Sequence, residues 1–339
     1  MSFIPLVTII IPVYNGSNYL REAIDSSLAQ TYDNIEVIVV NDGSNDGGAT
    51  ESIAISYGEK IKYFSKENGG VASALNTGIK ESKGEYLSWL SHDDMYLSHK
   101  IKCQLDYIRD DPTARQILYS DFEVFDVATG NSRINVTPAV TPGNNLREPL
   151  YLLFGGAIHG CTLLLPKACF DEVGLFNEDL KTVQDYDVWF KLLKAQYEFR
   201  HIQGPLIVTR HHEGQGTLSM ADTHRREVER LYIWAFDEFC ESFKCFSLEQ
   251  VASFVMLLKN KMLTEAPDHI IKRWPENQVQ QDYLLRYIQD QEMHKISLVR
   301  TSVEKLAKYP VLMKFTTAVY STLAGVYRFF EKVILAWRK

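Results

Sequence analysis

Four apolar runs, each closed by a polar break, constrain this chain more than any other feature. Val7 to Val13 is the first, and Tyr14-Asn15-Gly16-Ser17 breaks it. A helix is expected from about Tyr19 to Ala29, where Leu20, Ile24 and Leu28 share a face. Ile35 to Val40 is the second run, ended by Asn41-Asp42-Gly43-Ser44, with a helix over roughly Ala49 to Tyr57 behind it. Ile61 to Phe64, a helix over Val71 to Lys80, and Glu85 to Leu90 complete the series. Short apolar runs bounded by turn residues read as buried strands. Strands alternating with helices form βαβ units, so the fold class is α/β with a mostly parallel sheet flanked by helices. Ligands of such sheets sit beyond the carboxyl ends of the strands. Asn15, Asp42, Asn68 and Asp93 all fall at or just after such ends.

Two acidic stretches add chemistry to this frame. Ser91-His92-Asp93-Asp94 follows Tyr86-Leu87-Ser88-Trp89-Leu90. Adjacent carboxylates at a strand's end make a hard-oxygen site for a divalent cation, which typically neutralises a diphosphate. About ninety residues later, Gln184-Asp185-Tyr186-Asp187 opens a helix expected over Asp185 to Ala195. A metal-diphosphate clamp with a separate carboxylate base suggests transfer of a sugar from a nucleotide. Asn68-Gly69-Gly70 opens a helix, where small residues let the backbone approach an anion. Each feature also has a plainer reading. Asp42 before Gly43 suits a turn, and Asp93 with Asp94 suits a helix cap. Asp187 suits a first-turn acid favoured by the helix dipole.

The bulk properties bound the function classes. The chain has 339 residues, room for two domains by length, and is 45% hydrophobic and 23% charged. A net charge of −7 argues against nucleic acid as a partner, because no basic excess exists to neutralise a phosphate backbone. Met1-Ser2-Phe3-Ile4-Pro5 runs straight into a strand, so no secretory signal is expected. The five cysteines, Cys103, Cys161, Cys169, Cys240 and Cys245, are irregularly spaced. Reduced thiols are expected, and a zinc site is not.

Beyond residue 110 the pattern loosens. Leu118 to Val127 and Cys161 to Leu165 read as strands; Thr137-Pro138 through Pro142-Gly143-Asn144-Asn145 reads as a loop, and Arg210 to Ser219 as a mobile one. After about Thr223 only helices are expected: Glu227 to Phe243, Leu248 to Leu263, Gln278 to Ile288, and Pro310 to the end. The expected division is therefore 1–222, with nucleotide binding over about 1–100 and the acceptor side over about 101–222, followed by a helical region over 223–339. In the last helix Leu312, Phe315, Val319, Leu323, Val326, Phe330, Val333 and Trp337 recur at steps of three or four, with basic residues at its ends. Its longest charge-free run, Phe315 to Tyr327, is shorter than the roughly 20 residues that span a bilayer. An interfacial membrane helix and a helix packed on the protein or on a partner subunit both stay open.

At this point the chain resembles family 2 glycosyltransferases of the GT-A fold. Val7-Thr8-Ile9-Ile10-Ile11-Pro12-Val13-Tyr14-Asn15 and Val39-Val40-Asn41-Asp42-Gly43-Ser44-Asn45-Asp46 look like that family's opening. Glu67-Asn68-Gly69-Gly70 with Ala74-Leu75-Asn76-Thr77-Gly78, then Ser91-His92-Asp93-Asp94, then Gln184-Asp185-Tyr186-Asp187-Val188-Trp189, then Arg210-His211-His212 resemble its later blocks in order. The resemblance covers roughly residues 5–220 and not the helical tail. It implies an inverting, metal-dependent transfer from a UDP- or dTDP-sugar to a hydroxyl of a glycan or a lipid-linked oligosaccharide, in surface polysaccharide synthesis. Asp185 would be the general base. Pro12, Tyr14, Asn15, Asp42, Asn68, Gly69, Gly70, Asn76, Asp93 and Arg210 would bind the nucleotide-sugar, with Asp93 on the ribose and Arg210 on the diphosphate. Asp94 and His212 would hold Mn2+ or Mg2+. Two departures stand out: Ser91 where many members carry an acid, and Gln184 where Glu is usual.

With no signal and an amphipathic tail, the resemblance implies a cytoplasmic enzyme, peripheral on the inner face of a membrane if 310–339 binds there; an oligomer is left open. Three rival readings fit the sequence less well. A polyprenyl-phosphate glycosyltransferase often carries spanning helices, and none is expected here. A non-catalytic protein on a degenerate fold is favoured only by Gln184 and Ser91. A nucleotidyltransferase would more often show a basic Gly-rich loop after the first strand.

Overall fold

The computed structural model describes residues 4–109, 115–140, 146–212, 220–244 and 246–306, the last thirteen of these by backbone alone. The expected amphipathic helix over 310–339, the Pro142–Asn145 turn and most of the Arg210–Ser219 loop lie outside the described residues.

The first four apolar runs form strands. They are β1 (Val7–Val13), β2 (Ile35–Asn41), β3 (Lys62–Ser65) and β4 (Tyr86–Trp89). Helices α1 (Leu20–Leu28), α2 (Ala49–Ile55) and α3 (Val71–Glu81) connect them. The strands lie side by side in the order β3-β2-β1-β4, all parallel, with Val7 opposite Ile35 and Tyr86. A short antiparallel strand, β8 (Leu165–Pro166), closes the edge beside β4. Every residue of β1 is buried, as expected of a strand covered on both faces. Because β1 is central, its end and those of β2 and β4 meet on one edge of the sheet, where Asn15, Asp42 and Asp93 follow.

Of the second sheet the sequence showed one strand, the expected Leu118 to Val127, which is β6 (Gln116–Asp126); the rest was not legible. The sheet orders β5 (Met95–Tyr96), β9 (Glu198–His211), β6 and β7 (Ser132–Asn135). Strand β9 runs parallel to β6 and antiparallel to β5. The β6/β9 register shifts at Asp121. There the carboxylate accepts the N–H groups of Thr137 and Gly204, both at 2.8 Å, and meets His201 Nε2 at 2.8 Å. A polar interruption of that kind hides a strand from periodicity. Arg210 and His211 therefore end a strand and do not belong to a loop.

Helix α4 (Lys100–Ile108) follows β5, and α5 (Arg147–Phe154) precedes a 3-10 turn, Gly160–Thr162. Short α6 (Cys169–Val173) comes before α7 (Gln184–Lys194), whose inner face is Val188, Trp189, Leu192 and Leu193. The chain continues in α8 (Ala221–Glu238), α9 (Cys240–Phe243), α10 (Leu248–Asn260), α11 (Glu265–Arg273) and α12 (Gln278–Leu306). No strand falls among the described residues after His211, so the C-terminal region is helical.

The chain divides into two compact units. One comprises 1–246 with 257–270 and holds both sheets and every site residue below. In it Phe154 packs against Phe190, Tyr232 and Phe243. The other comprises 247–256 with 271–339, and in it Val251, Val255, Leu284 and Ile288 are buried. Helix α10 crosses the division.

Candidate active site

The turn after β4 carries the acidic pair. Asp94 is 2% exposed, and its Oδ1 accepts the backbone N–H of Arg210 at 3.0 Å. Its Oδ2 lies 3.9 Å from His159 Nε2. Burial, and then the negative charge of Asp93, push the Asp94 carboxyl up to about 7. Asp93 is more open, and its Oδ2 lies 3.0 Å from His212 Nε2. His212 thus pairs with Asp93 and not with Asp94; the imidazole beside Asp94 is His159. The His212 ring also rests on Tyr19, 5.3 Å between centroids.

Arg210 is held within the fold. It is 4% exposed, its Nη1 donates to Asp93 O at 2.7 Å, and its Nη2 pairs with Glu22. Its guanidinium carbon stands 4.7 Å from the centre of the Tyr19 ring. A planar fork committed in this way fixes the acidic turn from behind.

Asp42, 3% exposed, is also committed. Its carboxylate accepts the N–H of Gly69 at 3.0 Å and of Gly70 at 2.7 Å, and pairs with Lys66 Nζ at 2.8 Å. It clamps the Asn68-Gly69-Gly70 turn that starts α3. Asn15 ties the first turn to the second: its N–H donates to Ser44 Oγ at 2.9 Å, and its side chain exchanges hydrogen bonds with Asn45. Tyr14 is exposed beside it, whereas Pro12 is buried within β1.

Asn76 does not face this edge. Its Nδ2 donates to Phe176 O and to Glu178 Oε1, both at 2.9 Å, and its Oδ1 accepts the N–H of Phe176 at 2.9 Å. It pins α3 to the 176–178 segment. Asn76→Ala should cost about 2–4 kcal/mol, because it leaves buried peptide groups of Phe176 unpaired. Urea titration checks this, and UDP affinity of the folded variant should stay within about twofold; a selective loss of UDP affinity at unchanged stability would restore a binding role.

Asp185 sits in the first turn of α7, where the dipole favours a carboxylate. Its Oδ1 accepts the N–H of Tyr186 at 2.9 Å. Burial nevertheless raises its carboxyl to about 6. Asp187, two residues on, turns away into an ion pair with Lys191 at 2.6 Å. Among the described residues, Gln184 Oε1 is buried with no hydrogen-bond partner.

The segment that joins these parts is 156–161, where the sequence showed a loop at Gly155-Gly156 and a strand from Cys161, but not a part of the site; the structure has a 3-10 turn at Gly160–Thr162 instead. A Cβ built on Gly160 would fall 3.0 Å from Trp89 Nε1 and 3.5 Å from Asp185 Oδ2. Glycine lets the turn lie between them. His159 precedes it, with its Nδ1 accepting the N–H of Cys161 at 3.3 Å and its ring 5.0 Å from Phe122. Burial lowers His159 to about 4, so the imidazole is neutral. Cys161 follows, its sulfur accepting the N–H of Ser91 at 3.3 Å, and burial pushes its thiol well up. Asp94, His159 and Cys161 bring ligand atoms within 4.8 Å of one another. Only the small-polar run His159-Gly160-Cys161 between apolar stretches marked this place in the sequence.

A cation fits here by the chemistry of the donors. Two adjacent carboxylates, one pushed up by burial and by the charge of its neighbour, gain from a divalent ion. Carboxylate with neutral imidazole suits Mn2+ or Mg2+ better than a protonated thiol does.

With that geometry in view, the family comparison decides the class. The model for glycosyl transferase family 2 matches residues 8–169. An uncharacterized glycosyltransferase of Rickettsia typhi is 49% identical over 232 residues, 68% of this chain and 71% of the relative. The chain belongs to glycosyl transferase family 2. A further uncharacterized glycosyltransferase, from Rickettsia felis, is 50% identical over 230 residues, 68% of this chain. The matched region spans only 38% of that relative's length. Among solved structures, S. aureus TarS 1-349 in complex with UDP superposes with a TM-score of 0.52 over 84% of this chain and 88% of its own, at 17% identity. That likeness supports the GT-A fold. No described helix of the chain is long and apolar enough to cross a membrane.

Proposed function

We propose that this glycosyltransferase inverts the anomeric centre of a UDP- or dTDP-sugar, moving the sugar to a hydroxyl of a glycan or a lipid-linked saccharide. One observation carries the reading. The raised carboxyl of Asp185 and the acidic pair Asp93-Asp94 flank one short segment, residues 159–161, which supports reading a base and a diphosphate site side by side. The TarS neighbour, solved with UDP and with UDP-GlcNAc, supports the choice of nucleotide.

The chemistry follows from the residues. Asp185, ionised above pH 6, accepts the proton of the acceptor hydroxyl as its oxygen attacks the anomeric carbon. The new C–O bond forms as the bond to the diphosphate oxygen breaks. The nucleoside diphosphate leaves with that electron pair, and the proton stays on the Asp185 carboxylate until solvent takes it. Asp93 and Asp94, with His212 and His159 beside them, would hold Mn2+ or Mg2+. Such an ion supplies Lewis-acid stabilisation of the leaving diphosphate. Tyr14 and the Asn15–Asn45 pair wall the nucleotide base, and Asp42 acts by holding the Gly69-Gly70 turn against the phosphates.

UDP with Mn2+ should raise the melting temperature by several degrees, because a ligand at about 100 times its Kd contributes roughly 2.7 kcal/mol. Chelation, or Asp94→Ala, should remove most of that rise. A UDP shift indifferent to both would sink the metal assignment, and no shift with UDP or dTDP would sink the donor assignment.

A further inference from the structure

Helix α7 carries Asp185 in its first turn, yet its start has no cap of its own. Val183 stands there, buried, and its apolar side chain has no oxygen to offer. The two residues before it are fixed from outside, by α8, in the helical region that the resemblance does not cover. Glu227 Oε1 accepts the Lys181 N–H at 2.9 Å. Its Oε2 accepts the Thr182 N–H at 2.9 Å and the Thr182 hydroxyl at 2.7 Å. His224 Nδ1, on the same face of α8, lies 3.1 Å from that hydroxyl. Because the hydroxyl gives its hydrogen to Glu227, the imidazole is the donor in this second bond.

The chain from this clamp to Asp185 is short and leaves little slack. Val183 O accepts the Asp187 N–H at 3.0 Å and so closes the first turn directly behind Thr182. On the far side of Asp185, Tyr186 Oη donates to Ile158 O at 3.0 Å and accepts the Ile158 N–H at 3.1 Å. Asp185 lies between these two anchors, with Oδ2 facing Gly160. The rest of α8 follows α7. Tyr232 and Phe239 pack on Phe190, with ring centroids 6.2 and 6.4 Å away, and Glu238 pairs with Lys194. Burial, and then the charge of Asp185, raise the Tyr232 phenol, so α8 also comes near the carboxylate itself.

We propose that Glu227 is a positioning residue for Asp185, holding the 181–182 segment so that the carboxylate faces the Gly160 turn. This rests on the reading of Asp185 as the base. Helix α8 then belongs to the working enzyme through an acid that never touches substrate. Glu229, two residues on, supplies the control. It accepts the N–H groups of Thr264, Glu265 and Ala266 at the start of α11. Changing either acid to Gln removes one charge from α8 and loosens one helix start, but only Glu227 leads to Asp185.

Carbon NMR titration of the Asp185 carboxyl in the full chain, assigned with Asp185→Asn, tests this and needs no acceptor. Release of UDP from UDP-GlcNAc and UDP-glucose with Mn2+ is measured beside it. In Glu227→Gln a single amide oxygen faces donors that the carboxylate shared between two, so the start of α7 loosens and water reaches the base. The Asp185 carboxyl should then titrate at least about 0.5 pH below its wild-type midpoint, as relief of burial implies. The rate of UDP release should fall about 10- to 100-fold, as displacement of a reacting group implies, with UDP affinity within about twofold. Glu229→Gln should lose stability comparably and keep the wild-type titration and rate. If Glu227→Gln does not fold, Thr182→Val removes only the hydroxyl and should move the titration the same way. A titration in the folded variant that matches wild type, or the same shift in Glu229→Gln, overturns the proposal. Asp185→Asn separates the two readings. Transfer that survives in it sinks the base and leaves the Glu227 contact standing; its loss, beside an unshifted Glu227→Gln, sinks the positioning role alone.

Discussion

Asp185→Asn is expected to abolish transfer, leave UDP affinity within about twofold, and make the protein more stable at neutral pH. The first effect is that of removing a general base, about 100- to 10,000-fold in kcat. The third follows from linkage. The carboxyl has a pKa of about 6 in the folded protein against 3.8 for the free group, because burial disfavours its charge. A raised acid contributes stability that is complete below the unfolded value and is lost as pH rises through 6. That rise corresponds to a cost of up to roughly 3 kcal/mol at pH 8. Asparagine can still accept the Tyr186 N–H and carries no charge, so the cost disappears. The melting temperature should rise by about 5 °C or more at pH 8, and the gap should close towards pH 4. In the wild type, kcat should fall about tenfold per pH unit below 6. A variant that retains transfer, or one no more stable at pH 8 than at pH 4 relative to wild type, would overturn the assignment. The combination matters because a merely structural acid would not couple lost turnover to gained stability.

Much of this site was legible because the parallel sheet announces itself. The apolar runs that became β1, β2 and β4 also fix where Asn15, Asp42 and Asp93 must lie. The sequence was equally clear about α7, since Val188, Leu192 and the acids before them follow helical spacing. What stayed hidden is tertiary. Strand β9 has Gly204-Pro205 in its middle, and its pairing with β6 slips around Asp121, so β9 stayed hidden although β6 did not. Arg210 therefore read as a loop residue free to meet phosphate, when it is strand-borne and buried. Asp42 and Asn76 carry the right side chains in the right blocks. Their hydrogen bonds, however, go to Gly69, Gly70 and Phe176, contacts that span 27 to 100 residues of chain. His159 and Cys161 had no periodicity to betray them; they matter because Gly160 lets that turn approach Trp89 and Asp185.

Arg210→Met separates two roles that a resemblance alone would merge. If the guanidinium met the diphosphate, its loss would weaken UDP equally with and without Mn2+. Its contacts with Asp93 O, Glu22 and Tyr19 make a different forecast. The backbone N–H of Arg210 still reaches Asp94 in the variant, so Asp94 keeps its support. Asp93, and His212 with it, lose theirs. Metal-dependent UDP binding should fall about 10- to 100-fold, the usual effect of removing a group that orients a ligand residue. Metal-independent binding should change by less than about threefold. The unpaired Asp93 carbonyl and the lost ring contact should lower stability by about 2–3 kcal/mol, or roughly 5–10 °C. Arg210→Lys should rescue little, because an ammonium cannot reach the carbonyl, Glu22 and the Tyr19 face together. Glu22 is half exposed, so Glu22→Gln should cost under about 1 kcal/mol and leave the metal dependence intact. Equal loss of UDP affinity with and without Mn2+ in Arg210→Met would return the residue to the diphosphate.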